Sequence, residues 1–213
     1  PAHLTQEAMA AIREADLVLL PHKDSNKAEL ARVREDMLAA LNVPAGRIAH
    51  FDMPGRRQTG DDYHQQVDEW HDAIAARWQA ATQAHLGAGG ADGKGPGTQS
   101  GQGSRVALLV WGDPALYDST LRIAARLGLA AGQVRVVPGI TSMQVLCSAH
   151  GIALNDIGAP FQVTTGRQLA ERGWPAGVDT LVVMLDGQRA YETVNEPDVH
   201  IHGGAYLACR SSC

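Results

Sequence analysis

Residues 110–121 read Val-Trp-Gly-Asp-Pro-Ala-Leu-Tyr-Asp-Ser-Thr-Leu, an apolar run that stops at Gly112, Asp113 and Pro114. In a parallel sheet the carboxyl end of a strand is where ligands bind, and a glycine there lets a ligand approach the backbone closely. The same Gly-Asp-Pro is also ordinary turn chemistry, with the aspartate bonding its own backbone. Taken alone, the stretch supports both readings equally. A second stretch, Val-Val-Pro-Gly-Ile-Thr-Ser-Met-Gln at 136–144, again sets a turn and two hydroxyls at the end of an apolar run. Thr141 or Ser142 caps the next helix, or the same amides and hydroxyls hold an amino-acid carboxylate or a ribose. Two such loops after successive strands converge on one edge of a sheet, which favours a site.

The elements that must carry these loops follow from periodicity. Residues 4–15 read as a helix capped by Thr5, with Glu7 in its first turn and Met9 and Ile12 on one face. A buried strand at 17–20 follows, then a helix over 26–41 with Leu30, Val33, Met37 and Leu41 at helical spacing and an Asn26/Glu29 capping box. Residues 47–51 read as a short strand. A long helix then carries Val67, Trp70, Ile74 and Trp78 as a core-facing stripe. Beyond it lie strand 106–111, helix 120–127, strand 134–137 and helix 142–150, then strand-like 161–164, a turn-rich stretch through 173–177 and the apolar run 181–185. Strands alternating with helices imply an α/β fold with a parallel sheet covered on both faces. The change of character after Asn155 puts a domain boundary near 157/158, giving domains 1–157 and 158–213. Residues 87–104 hold eight glycines and almost nothing apolar. They read as a flexible surface loop, and without a feeding strand or a closing Lys-Ser/Thr they do not form a phosphate cradle.

Composition excludes several classes of function. The 213 residues are 45% hydrophobic and only 5% aromatic, which suits a soluble core of Leu, Val, Ile and Ala. A net charge of −5 with no long basic run gives no attraction for nucleic acid or an anionic membrane. No apolar stretch approaches a membrane span and no signal-peptide pattern opens the chain, so a cytoplasmic enzyme is expected. Cys147, Cys209 and Cys213 do not form a disulfide framework. A zinc site from His200, His202, Cys209 and Cys213 would have non-standard spacing, so no metal is expected.

Gly-Asp-Pro-x-x-Tyr at 112–117 followed by Pro-Gly-Ile-Thr-Ser at 138–142 resembles the paired signature of the tetrapyrrole methylases. The opening Pro-Ala-His-Leu-Thr resembles the end of that family's first glycine-rich motif. Longer matches resemble its cobalamin-pathway branch: residues 111–123, Thr-Thr-Gly-Arg at 164–167, Val-Met-Leu-Asp-Gly at 183–187 and Gly-Ala-Tyr-Leu at 204–207. They extend over almost the whole chain outside the glycine-rich insert. The resemblance implies two α/β domains with S-adenosylmethionine folded into the cleft between them, a tetrapyrrole substrate and a homodimer. It implies donor contacts at Asp113, Leu116 and Tyr117, support from Thr141 and Ser142, and adenosyl contacts at Met184, Leu185, Ala205 and Tyr206. For Met184 and Leu185 plain strand core is the competing role. The implied reaction is methylation of precorrin-5 at ring carbon 1 with release of acetate.

That release needs water and a base, for which His22, Asp24, Tyr63, His64 and His71 have suitable chemistry, although an ordinary solvated or hydrogen-bonded role is favoured for each, so no catalytic residue is assigned. Lys23, Arg122 and Arg167 are candidates to meet substrate carboxylates. The family pattern also implies that its first strand with a Gly-x-Gly loop, and its C-terminal end, are missing from this chain. His22 and Asp24 depart from the family's Asp-Lys-Gly turn. Two other readings stand beside the corrin methyltransferase: another superfamily member such as a diphthine synthase, and an inactive fragment that binds the donor.

Overall fold

The structure, a computed structural model, describes residues 3–22, 28–55, 63–87, 103–110, 112–195, 197–205 and 207. Most of the glycine-rich insert, the Asn26 cap, Lys23, Asp24 and Tyr206 lie outside them, as do Trp111, Cys209 and Cys213. By compactness the chain divides into two units, Pro1–Gly139 and Ile140–Cys213. This division groups the helix over 142–150 with the second unit, whereas the sequence reading groups it with the first domain.

The first unit is built around β1 (Leu17–His22), the middle strand of a parallel three-stranded sheet in the order β2-β1-β3, with β2 at Ile48–Asp52 and β3 at Val106–Leu108. The pleat sends successive side chains to opposite faces, and both faces of β1 are buried. Leu17 and Leu19 join Phe51 of β2, Ile74 and Trp78 of α3 (Tyr63–Gly87) and Ile123 of α4 (Thr120–Arg126). Val18 and Leu20 join Ile12, Leu38, Leu41 and Val43, from α1 (Gln6–Glu14), α2 (Ala28–Ala40) and the turn after it. A strand covered on both faces reads as an unbroken apolar run, as Leu-Val-Leu-Leu does. Thr5 caps α1 by accepting from the Ala8 amide at 3.1 Å, as expected.

Two strand expectations are corrected. The strand expected over 106–111 is paired only as far as Leu108, opposite Leu19. Past that point the Leu109 carbonyl accepts from Arg34 Nε at 3.0 Å, so a side chain takes the place of the ladder. Residues 134–137 form no strand at all. Among the described residues no strand lies beside them to supply a ladder, and Val136 is 46% exposed; an apolar run becomes a strand only where a neighbour pairs with it.

In the second unit, α5 (Ser142–His150) ends at Gly151, whose φ of 64° is the left-handed stop that glycine tolerates best. β4 (Gln162–Thr165) and β5 (Leu181–Met184) pair in parallel, Thr165 opposite Met184. They are joined through α6 (Gly166–Arg172), a helix that the sequence reading passed over. Thr165 starts it by accepting from the Gln168 amide at 3.3 Å, and Leu169 buries its inner face.

Candidate functional site

The loop after β3 is a chain of self-contained turns. Gly112 has φ +111°, a conformation L-residues rarely adopt, and open space lies where a Cβ would stand. Asp113 Oδ1 accepts from the Ala115 amide at 2.8 Å, and the Asp113 carbonyl accepts from the Leu116 amide at 3.0 Å. The turn role weighed for Asp113 is thus realised, with Oδ1 committed to the backbone. Tyr117 sits at φ 53°, unusual for a bulky residue, and is 48% exposed. Asp118 Oδ1 accepts from the Thr120 amide, and Ser119 Oγ lies 2.7 Å from Nε2 of His71 on α3. The loop is therefore fixed at its far end by a buried side chain that belongs to another helix.

Thr141 takes the capping role. Its hydroxyl accepts from the Gln144 amide at 3.3 Å, and Gln144 Oε1 accepts from the Thr141 amide at 2.9 Å, a reciprocal capping box. Ser142, the first residue of the helix, is exposed. Met184 closes β5 and is half-buried, whereas Leu185 turns out at φ 54° with its side chain 73% exposed. Plain strand core fails for Leu185, because the left-handed turn takes it off the ladder. Asp186 holds the corner: Oδ1 accepts from the Ala190 amide at 2.8 Å and Oδ2 from the Tyr191 amide at 3.3 Å. A Cβ on Gly166 would fall 2.8 Å from Asp186 Cα, so the glycine of Thr-Thr-Gly-Arg is required for the aspartate of Met-Leu-Asp-Gly to seat. Ala205 is exposed, on a segment that His150 Nε2 ties down by a 3.0 Å hydrogen bond to the Gly203 carbonyl. Asp113, Leu116 and Tyr117 thus share one loop of the first unit, while Thr141 with Ser142, Met184 with Leu185, and Ala205 form three stations of the second. Among the described residues no hydrogen bond joins those three stations directly.

The base candidates separate by burial. His71 is 2% exposed and its Nδ1 has no partner, so it cannot reach a substrate. Burial pushes its pKa down, helped by Arg126 and Arg122 and opposed by Asp68 and Asp72. The neutral tautomer with hydrogen on Nε2 donates to Ser119 and leaves a bare acceptor at Nδ1, avoiding a buried unpaired N–H. His64 is exposed. Arg122 Nη1 donates to the Asp118 carbonyl at 2.9 Å, and Arg167 lies 4.0 Å from Glu171.

Sequence reasoning missed a cavity of about 370 Å³ at the carboxyl ends of β1 and β2, walled by Pro21, His22, Arg32, Arg34, Glu35 and His50. Arg34 fell within a helical stripe read only for its apolar members. The one signal was a run of Arg-x-Arg-Glu on the helix that follows a buried strand.

The sequence signature of the Tetrapyrrole (Corrin/Porphyrin) Methylases matches residues 97–202. Precorrin-6A synthase (deacetylating) of a Sinorhizobium species is 42% identical over 99% of this chain and 76% of its own length. Cobalt-precorrin-7 C(5)-methyltransferase of Salmonella typhimurium is 40% identical over 52 residues, 24% of this chain and 25% of that protein. Among solved structures, the crystal structure of a Corynebacterium diphtheriae protein described as cobalamin synthesis related (CobF) superposes with a TM-score of 0.62 at 34% identity, covering 91% of this chain and 71% of that one. Parallel α/β units with loops presented at strand ends are here those of an S-adenosylmethionine-dependent methyltransferase. More particularly, the chain belongs to the tetrapyrrole (corrin/porphyrin) methylase family.

Proposed function

We propose that the chain methylates precorrin-5 at ring carbon 1 with release of acetate, using S-adenosylmethionine, for which the loop after β3 in the first unit and the Met184–Leu185 corner in the second are each a candidate contact. The reading includes the family's two α/β domains, 1–157 and 158–213, and a homodimer. The observation that carries it is the Gly112–Asp118 loop: it begins at a glycine in a conformation that side chains avoid, with open space beside it, at the carboxyl edge of a parallel sheet.

The residues present fit an adenosyl donor. Space beside Gly112 admits close approach to the backbone, Leu185 offers an exposed apolar face, and the Ser142 hydroxyl stands at an exposed helix start. When bound, S-adenosylmethionine supplies a sulfonium methyl group for in-line displacement by a nucleophilic carbon. The chain's own task is alignment and exclusion of water, and it needs no nucleophile of its own. Asp113 shapes the loop through its bond to Ala115, Ser119 anchors it through His71, and Asp186 fixes the corner that presents Leu185.

Calorimetric titration with S-adenosylhomocysteine tests the donor site. Saturable binding that falls about tenfold in Gly112→Ala and in Asp113→Ala is the expected result. A folded protein that takes up no S-adenosylhomocysteine contradicts the reading.

A further inference from the structure

The cavity at the carboxyl ends of β1 and β2 has a composition the donor site does not explain. Among the described residues that wall it are two guanidinium groups, Arg32 and Arg34, two imidazoles, His22 and His50, and one carboxylate, Glu35, in a chain whose net charge is −5. His22 closes β1, and its ring meets that of His50 edge-on at 6.1 Å. His50 Nε2 stands 3.6 Å from Glu35, both side chains about half exposed. Arg34 differs from the rest because it is buried, at 7% exposure.

A buried guanidinium loses hydration, which burial registers by pushing its pKa down. Its Nε donates to the Leu109 carbonyl, the first residue past β3. Arg34 therefore reaches across the carboxyl edge of the sheet, from the cavity over β1 and β2 to the strand end that feeds the Gly112 loop. Guanidinium geometry matches a carboxylate better than a point charge does. The remaining walls, Leu20, Pro21 and Ala31, are apolar and suit a short alkyl stem. The cavity is too small to enclose a whole tetrapyrrole and large enough for one of its carboxyalkyl arms.

We infer that this cavity seats a carboxylate arm of the tetrapyrrole substrate, with Arg34 as the principal anion-binding side chain and Arg32 and His50 at its mouth. The inference rests on the tetrapyrrole reading and assigns part of the substrate to named residues. Since Arg34 is tied to Leu109, an arm held there keeps the ring at the sheet edge that carries the donor loop.

The probe is uroporphyrin III, a stable polycarboxylate tetrapyrrole, titrated by tryptophan quenching against the full chain. S-adenosylhomocysteine titrated calorimetrically serves as the control. Arg34→Met and the double variant R32A/H50A, whose positions are exposed, are compared after thermal unfolding verifies their fold. Uroporphyrin affinity reduced about tenfold or more in each folded variant, with S-adenosylhomocysteine affinity unchanged, supports the inference. If Arg34→Met does not fold, R32A/H50A decides alone. Uroporphyrin affinity within about twofold of wild type overturns it and leaves the tetrapyrrole reading intact. Loss of S-adenosylhomocysteine affinity instead overturns it in favour of a donor-carboxylate site. No uroporphyrin binding by the wild-type chain overturns it too, and the methyltransferase reading then stands or falls on S-adenosylhomocysteine.

Discussion

His71 shows how one buried side chain connects stability, pH and the candidate site. Its pKa is pushed below the ordinary imidazole value of 6.5, chiefly by burial, so the unfolded chain binds the proton more readily than the folded one. Stability from this group is therefore complete above about pH 6.5 and is lost as pH falls through that value toward the folded pKa. Urea unfolding at about pH 8 and about pH 5 should show a loss of stability on acidification that is smaller in His71→Gln; equal losses would contradict the burial argument. Ser119→Ala, which leaves Nε2–H without its acceptor, should cost about 1–3 kcal/mol. Leu185 makes the opposite case. A left-handed β-branched or bulky residue carries about 1 kcal/mol of strain, so Leu185→Gly should leave stability equal or higher. If the exposed side chain faces the donor as proposed, its loss should weaken S-adenosylhomocysteine binding; unchanged affinity would remove Leu185 from the site. The side-chain types of the loops were legible in the sequence. The partnerships His71–Ser119 and Arg34–Leu109 were not, because each joins residues far apart in the chain whose proximity depends on how helices pack on the sheet.

At the scale of elements, periodicity located what local forces decide. The helix over 142–150 matches its expected bounds because a capping box and a terminal glycine are written in adjacent residues. Thr141→Ala removes that cap and should cost about 0.5–2 kcal/mol, read as a lower unfolding midpoint; no change would mean that packing alone holds α5. Strand 134–137 was misread because ladder partners are not visible in a single apolar run. The helix α6 was hidden behind Thr-Thr-Gly-Arg, which was read only for its resemblance to the family, with no role given to its glycine. Its actual role is steric: Gly166→Ala drives a methyl against Asp186, backbone included, and should destabilise the second unit by about 1–3 kcal/mol. An alanine variant as stable as wild type would show that the corner at Leu185–Asp186 yields more easily than its close packing suggests.

For the molecule as a whole, alternating strands and helices foretold the parallel α/β architecture, and the paired loops foretold the family. No helix among the described residues is long and apolar enough to cross a membrane. The acidic chain nevertheless gathers arginines and histidines at one edge of its first sheet, beside the strand end that leads to Gly112. Such local charge against the net charge is what an anionic substrate requires. The most direct test of the central claim is incubation with S-adenosylmethionine labelled in its methyl group and enzymatically prepared precorrin-5. Label appearing in the corrin product, matched by an equal amount of released acetate, is the predicted result; a folded chain that binds S-adenosylhomocysteine yet transfers no label and frees no acetate would contradict it.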